Sequence, residues 1–170
     1  MARILYFTRD YTTHDHRFLS ALAGTEHQVF YLRLERRGHT LEDRPLPPQI
    51  KTIHWAGGKS PFTWSQTLPL LLDLKRVIRE IQPDLIQAGP VQTAAFMAAL
   101  TGFRPLVTVS WGSDLLVDAH RSAWYRRVTR YSLAHSAVLV GDCQPVHNAA
   151  MAFGMPPERI VTFPWGVDLE

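Results

Sequence analysis

The chain has 170 residues, 46% of them hydrophobic and 19% charged, enough for one domain with a real core and too few for two large ones. Its net charge of +3 and pI near 9.3 come almost wholly from arginine, because Lys51, Lys59 and Lys75 are the only lysines; this falls short of a nucleic-acid binder's basic stripe. The single Cys143 excludes an intrachain disulfide and a multi-cysteine metal site, so a reducing cytoplasm is the expected compartment, and neither MARILYFTRDY nor LPLLLDL is a signal peptide or a membrane span.

In chain order, RILYFT (3–8) is the first strand-sized apolar run, followed by a polar loop, TRDYTTHDHRF (8–18), and a helix carrying Phe18, Leu19 and Leu22. QVFYLRL (28–34) is the second strand. ERRGHTLEDRPLPP (35–48), with its charges and prolines, is expected to wrap the surface before a third strand, IKTIHW (50–55), and a glycine-hinged link, AGGKSPFT (56–63). In LPLLLDLKRVIREIQ the residues Leu71, Leu74, Ile78 and Ile81 recur at helical spacing and Pro83 closes the segment. DLIQA (84–88), PLVTVS (105–110), AVLVG (137–141) and RIVTF (159–163) supply four more strands. Helices are expected over VQTAAFMAALTG, SAWYRRVTRYSLAH and PVHNAAMAFG. Strand and helix thus alternate, which implies right-handed crossovers and a Rossmann-like, doubly wound, mostly parallel α/β sheet of seven strands. In such a sheet ligands sit at the carboxyl ends of the strands.

The strand-end loops therefore carry the functional reading. The first contains no glycine, which argues against a dinucleotide fingerprint, and the chain has no G-K-[ST] phosphate loop. It offers Tyr11, Thr12, Thr13, His14, Asp15 and His16, either as ligand groups or as a helix cap made by Thr13 or Asp15 beside exposed histidines. His14 and His16 stand two apart, off a common helical face, so a metal site is not expected. VSWGSDLL (109–116) places Trp111, Gly112, Ser113 and Asp114 at the fifth strand's end. Trp111 could stack on a sugar or a base, Gly112 could bring a backbone amide close to a ligand, and Asp114 could accept hydroxyl hydrogen bonds; the alternative is a buried Trp beside a capping Asp. In GDCQPV (141–146), Asp142 and Cys143 read as cap or core rather than catalyst.

QPDLIQAGPVQTAAFMAALTGFRPLVTVSWGSDLL followed by GMPPERIVTFPWGVDLE resembles the amino-terminal domain of retaining glycosyltransferases of the GT-B fold, glycosyltransferase family 4. The resemblance runs through nearly the whole chain in element order. It implies an acceptor-side domain over residues 1–170, ending where a nucleotide-sugar-binding domain would begin, so that the isolated chain would be an inactive half of the enzyme. The complete enzyme would move a sugar from a nucleoside diphosphate sugar to a hydroxyl acceptor with retention, without a metal or other cofactor. Catalytic residues are left unassigned. The acceptor candidates are Tyr11, Thr13 and His14 of the first loop, Gln87 and Gly89 of the fourth strand, and Trp111, Gly112, Ser113 and Asp114 after the fifth. Trp165, Gly166 and Asp168 would face the interdomain cleft. The family often has glycines where this chain has YTTHDH, and histidines where Gln87 and Trp111 stand.

Two alternatives accompany this reading. One is a non-catalytic Rossmann-like module using the same loops for a small ligand or partner. The other concerns HRSAWYRRVTRY (120–131), whose arginines alternate with aromatics: it suits weak contact with an anionic membrane surface at the inner face, or is an ordinary solvated face with Trp124, Val128 and Tyr131 packed on the sheet.

Overall fold

In β1 (Arg3–Thr8) every residue from Ile4 onward is buried, as a central parallel strand covered on both faces requires. The strand lies between β2 (Gln28–Arg33) and β4 (Leu85–Gly89). β3 (Lys51–Thr52) flanks β2, and β5 (Leu106–Val109), β6 (Val138–Gly141) and β7 (Ile160–Thr162) continue beyond β4, in the order β3-β2-β1-β4-β5-β6-β7. Every pairing is parallel. This computed structural model describes residues 1–36 and 41–165, so part of the 35–48 segment, together with Gly166 and Asp168, lies outside the described residues. The doubly wound parallel sheet expected from the alternation is the observed fold. The chain runs outward from β1 to β3 and then returns to β4, so direction reverses between β1 and β4, which makes their carboxyl ends the crevice of the sheet.

Alternate residues of β1 feed two cores. Ile4 and Tyr6 join Val29, Tyr31 and Leu19, the last from α1 (Thr13–Ala23). Leu5 and Phe7 point the other way, onto Leu70, Leu74, Val77 and Ile81 of α2 (Thr67–Ile81). The α2 stripe centres on Leu70, Leu74, Val77 and Ile81, while Leu71 and Ile78 are only partly buried. A third cluster closes the β6–β7 end around Leu115, Leu139, Val146 and Ile160.

Three local features depart from the periodic reading. β3 shrinks to two residues because Ile50 turns into the α1-side core and Trp55 turns to the other, its indole Nε1 donating to the Arg33 carbonyl at 3.0 Å and its ring meeting Phe7 edge-on at 5.5 Å. The helix after β4 opens with a π turn, Val91–Ala95, before α3 (Phe96–Leu100); Ala95 N–H reaches back five residues to the Pro90 carbonyl at 3.2 Å. Such widened turns recur at functional sites. After the short α4 (Ser113–Leu116), α5 (Ala123–His135) buries Val128, Thr129, Ser132 and Leu133, which rotates Trp124 and Tyr131 to the rim. They remain 51% and 37% exposed, so neither packs on the sheet as the solvated-face reading required; both instead contact the ring of Phe96. α6 (Gln144–Ala152) leads to β7.

Candidate functional site

The start of α1 is fixed by Thr12 rather than by Thr13. Thr12 Oγ1 accepts from Asp15 N–H while the Asp15 carboxylate accepts from Thr12 N–H at 2.8 Å, a reciprocal capping box. Tyr6, buried in β1, donates its hydroxyl to Asp15 Oδ1 at 2.9 Å. Burial pushes the Asp15 carboxyl up to about 6, against the lowering effect of these hydrogen bonds. The helix start is thereby tied to the central strand, and His14, in the first turn of α1, is held over the carboxyl edge.

At that edge four rings meet. His14 stacks on Trp111, which follows β5, with centroids 5.3 Å apart and planes at 24°. Trp165, which follows β7, sets its edge against His14 at 5.3 Å and against Trp111 at 5.3 Å. Phe18, one turn down α1, completes the group against Trp165 at 5.2 Å. Burial lowers the pKa of His14 and Arg17 adds to this, while Asp142 opposes it, so the imidazole is biased toward its neutral form. Two buried polar atoms here have no hydrogen-bond partner, Asp142 Oδ1 and Trp165 Nε1, one an acceptor and one a donor. A pocket of about 350 Å³ opens beside the rings and is lined by His14, Arg17, Phe18, Arg44, Phe163 and Trp165.

The other predicted residues are placed differently. Tyr11 turns away from His14; its hydroxyl meets His16 Nδ1 at 2.7 Å and it lines a separate pocket with Tyr31 and Arg33. Thr13 is exposed and reaches the Glu42 carboxylate. Gln87 sits within β4, paired with Tyr6 and Val107. Gly89 ends β4, and an added Cβ would strike the Val109 carbonyl, so this position is glycine for close strand approach. Gly112, at φ 83°, has open space around it, and its amide is already donated to Ser110 Oγ at 3.2 Å. Ser113 is exposed at the start of α4. Asp114 is turned inward. It is 2% exposed and its carboxylate accepts from Val91 N–H at 2.9 Å, Ser110 Oγ at 2.6 Å and Leu115 N–H at 3.0 Å. It does not cap its own helix, whose N-cap is Gly112 without a side-chain hydrogen bond; it braces the β4 and β5 loops together.

A second opening lies at the crevice itself, about 170 Å³, with Arg9 from the end of β1 and Gln92 and Thr93 from the turn after β4. None of these residues stood out in the sequence, although Arg9 directly follows a strand end, the one local signal that marks it. Among the described residues no three His, Cys, Asp or Glu side chains are grouped as metal ligands would be, and no helix is long and apolar enough to cross a membrane.

With this geometry in place, the chain can be set beside known proteins. No curated protein matches it in sequence. Among solved structures it is similar in fold to the lipopolysaccharide outer core galactosyltransferase WaaB, with a TM-score of 0.68 at 12% identity over 99% of this chain and 47% of that one. The Anabaena protein HepE in complex with UDP-glucose gives 0.64 at 17% identity over 99% and 45%. The UDP-GlcNAc 2-epimerase of Methanocaldococcus jannaschii gives 0.63 at 14% identity over 95% and 45%. The chain thus spans under half the length of each of these proteins. A sequence model described as glycosyl transferase 4-like matches residues 3–142, the greater part of the chain and every strand from β1 to β6, and on that match the chain belongs to the glycosyl transferase 4-like family.

Proposed function

We propose that this chain is the acceptor-side, amino-terminal half of a GT-B glycosyltransferase, which moves a sugar from a nucleoside diphosphate sugar to a hydroxyl with retention and without a metal. The observation that carries the reading is the four-ring cluster. It gathers His14 and Phe18 from α1, Trp111 from the segment after β5 and Trp165 from the segment after β7 at the sheet's carboxyl edge, within a chain of the glycosyl transferase 4-like family. Structures of similar fold were solved with UDP or UDP-glucose bound, and the nucleotide sugar is proposed for this chain as co-substrate of the complete enzyme.

In the proposed reaction the sugar develops oxocarbenium character as the diphosphate departs. Cations of the second domain, with the amides of Thr13 and His14 at the start of α1, would meet the diphosphate charge. Trp111 offers a stacking face to the reacting sugar, and His14, biased toward the neutral form, can exchange hydrogen bonds with a hydroxyl without adding a charge. Trp165, at the end of the described residues, would face the cleft. We also propose a cytoplasmic enzyme with weak membrane-surface contact through α5, supported by the exposure of Trp124 and Tyr131.

The test uses a protein in which this domain is joined to its nucleotide-sugar-binding domain. His14→Ala and Trp111→Ala should each lower turnover by at least about ten-fold, the loss of one transition-state contact worth about 1.4 kcal/mol, with much smaller effects on stability. The 170-residue chain alone should transfer nothing. Full turnover by the isolated chain would remove the half-enzyme reading, and a large stability loss with unchanged specific activity would assign Trp111 to the core. Ligand binding by the joined protein without transfer would favour the binding-module alternative.

A further inference from the structure

The crevice between β1 and β4 has a chemistry distinct from that of the ring cluster. Arg9 stands on one side, its Nε donating to Glu35 Oε1 at 2.7 Å. Glu35 is itself only 2% exposed and accepts Phe62 N–H through its other oxygen at 2.8 Å. Across the opening, Arg121 Nη1 lies 3.1 Å from Asp118 Oδ1. Thr93 enters from the π turn, and its buried hydroxyl has no hydrogen-bond partner. Trp64 forms an aromatic wall; it is 37% exposed and is braced edge-on by Phe62 at 5.4 Å.

Each guanidinium here already faces a carboxylate that offsets its charge, so an anion entering the crevice finds little net attraction. A neutral polyol does not depend on that charge. A guanidinium carries five donors in a fixed fork and a carboxylate about four acceptor sites, so the Arg121–Asp118 pair, both members of which line the opening, retains capacity for hydroxyls that act as donor and acceptor together. The Thr93 hydroxyl needs a partner of the same kind, since a buried polar group left unpaired is costly. Trp64 supplies an apolar face of the sort that the C–H side of a sugar ring covers. The volume of about 170 Å³ equals that of about half a dozen waters, which is the scale of one sugar ring and not of a lipid chain or a dinucleotide.

We infer that the β1/β4 crevice is a monosaccharide subsite that takes a neutral sugar ring and not a phosphorylated or carboxylated one. That this sugar is the acceptor rests on the glycosyltransferase reading; that the crevice binds a sugar does not. The experiment is an amide and indole NMR titration of the 170-residue chain with methyl α-glucopyranoside and methyl α-galactopyranoside, set against glucose 6-phosphate and inorganic phosphate at matched ionic strength. At least one neutral glycoside should shift the Val91–Thr93 amides and the Trp64 indole, while phosphate leaves them in place. Asp118→Asn and Thr93→Val, both close in shape to the original residues, should each weaken binding by about ten-fold, as loss of one hydrogen bond to a buried or charged group implies. Tighter binding of phosphate or the phosphate ester, no glycoside shifts at these residues, or binding indifferent to both variants would overturn the inference. Glycoside binding at the crevice by a chain whose two-domain form transfers no sugar would leave the inference standing and remove the transferase reading. Active transfer with no glycoside at the crevice would do the reverse.

Discussion

The carboxyl of Asp15 is the buried hinge on which α1 and His14 are set, and its titration can be isolated. The residue is 0% exposed, and burial raises its folded-state pKa from 3.8 to about 6. Below about pH 4 the group is neutral in both folded and unfolded chains. Between about pH 4 and 6 the unfolded chain releases the proton while the folded chain holds it, so the folded state binds more protons and stability falls as pH rises. A rise of about two units at 1.36 kcal/mol each gives a loss of about 3 kcal/mol, complete just above pH 6. Asp15→Asn removes this titration and retains the main contacts, because the amide oxygen can accept from Thr12 N–H and the amide nitrogen can donate to the Tyr6 hydroxyl. Urea unfolding of both proteins from pH 4 to 7 should show the wild type losing about 3 kcal/mol relative to the variant. Other carboxyls, including Asp114 with its raised pKa, are common to both proteins and drop out of the difference. Parallel pH profiles for the two would refute the argument that Asp15 is charged at neutral pH at the expense of stability.

Asp114→Ala should cost about 3 to 5 kcal/mol, because it leaves the buried Val91 and Leu115 amides and the Ser110 hydroxyl without their acceptor at about 1–3 kcal/mol each; thermal unfolding measures it, and a change below about 1 kcal/mol would return Asp114 to the list of ligand groups. For α5, sedimentation with phosphatidylglycerol vesicles at low salt should show binding that the Arg126→Glu/Arg127→Glu double variant loses, each basic residue near an anionic surface being worth about 1 kcal/mol. Equal binding, or none, by both proteins would remove the membrane contact.

The chain's own pattern determined the architecture. Apolar runs of strand length alternating with helical stripes leave a parallel sheet with crossovers as the solution that buries both faces of RILYFT, and all seven runs became strands, because periodicity is local and each segment states its own buried face. The strand-end rule also located the ring cluster through His14 and Trp111. Other features depended on distance across the fold. Asp114 reads in sequence either as an acceptor for ligand hydroxyls or as a helix cap, and only the arrival of Val91 from the neighbouring loop makes it a buried brace. Tyr11 lies in the first strand-end loop three residues before His14, yet it faces His16 and the β2 side. Trp165 joins His14 although about 150 residues separate them, and Arg9 joins Thr93 and Arg121, because the strand order sets β1 beside β4 with β5 to β7 beyond. That order is chosen by packing among elements far apart in the chain, so the sequence determined which elements form, and the tertiary structure alone decided which of their ends meet.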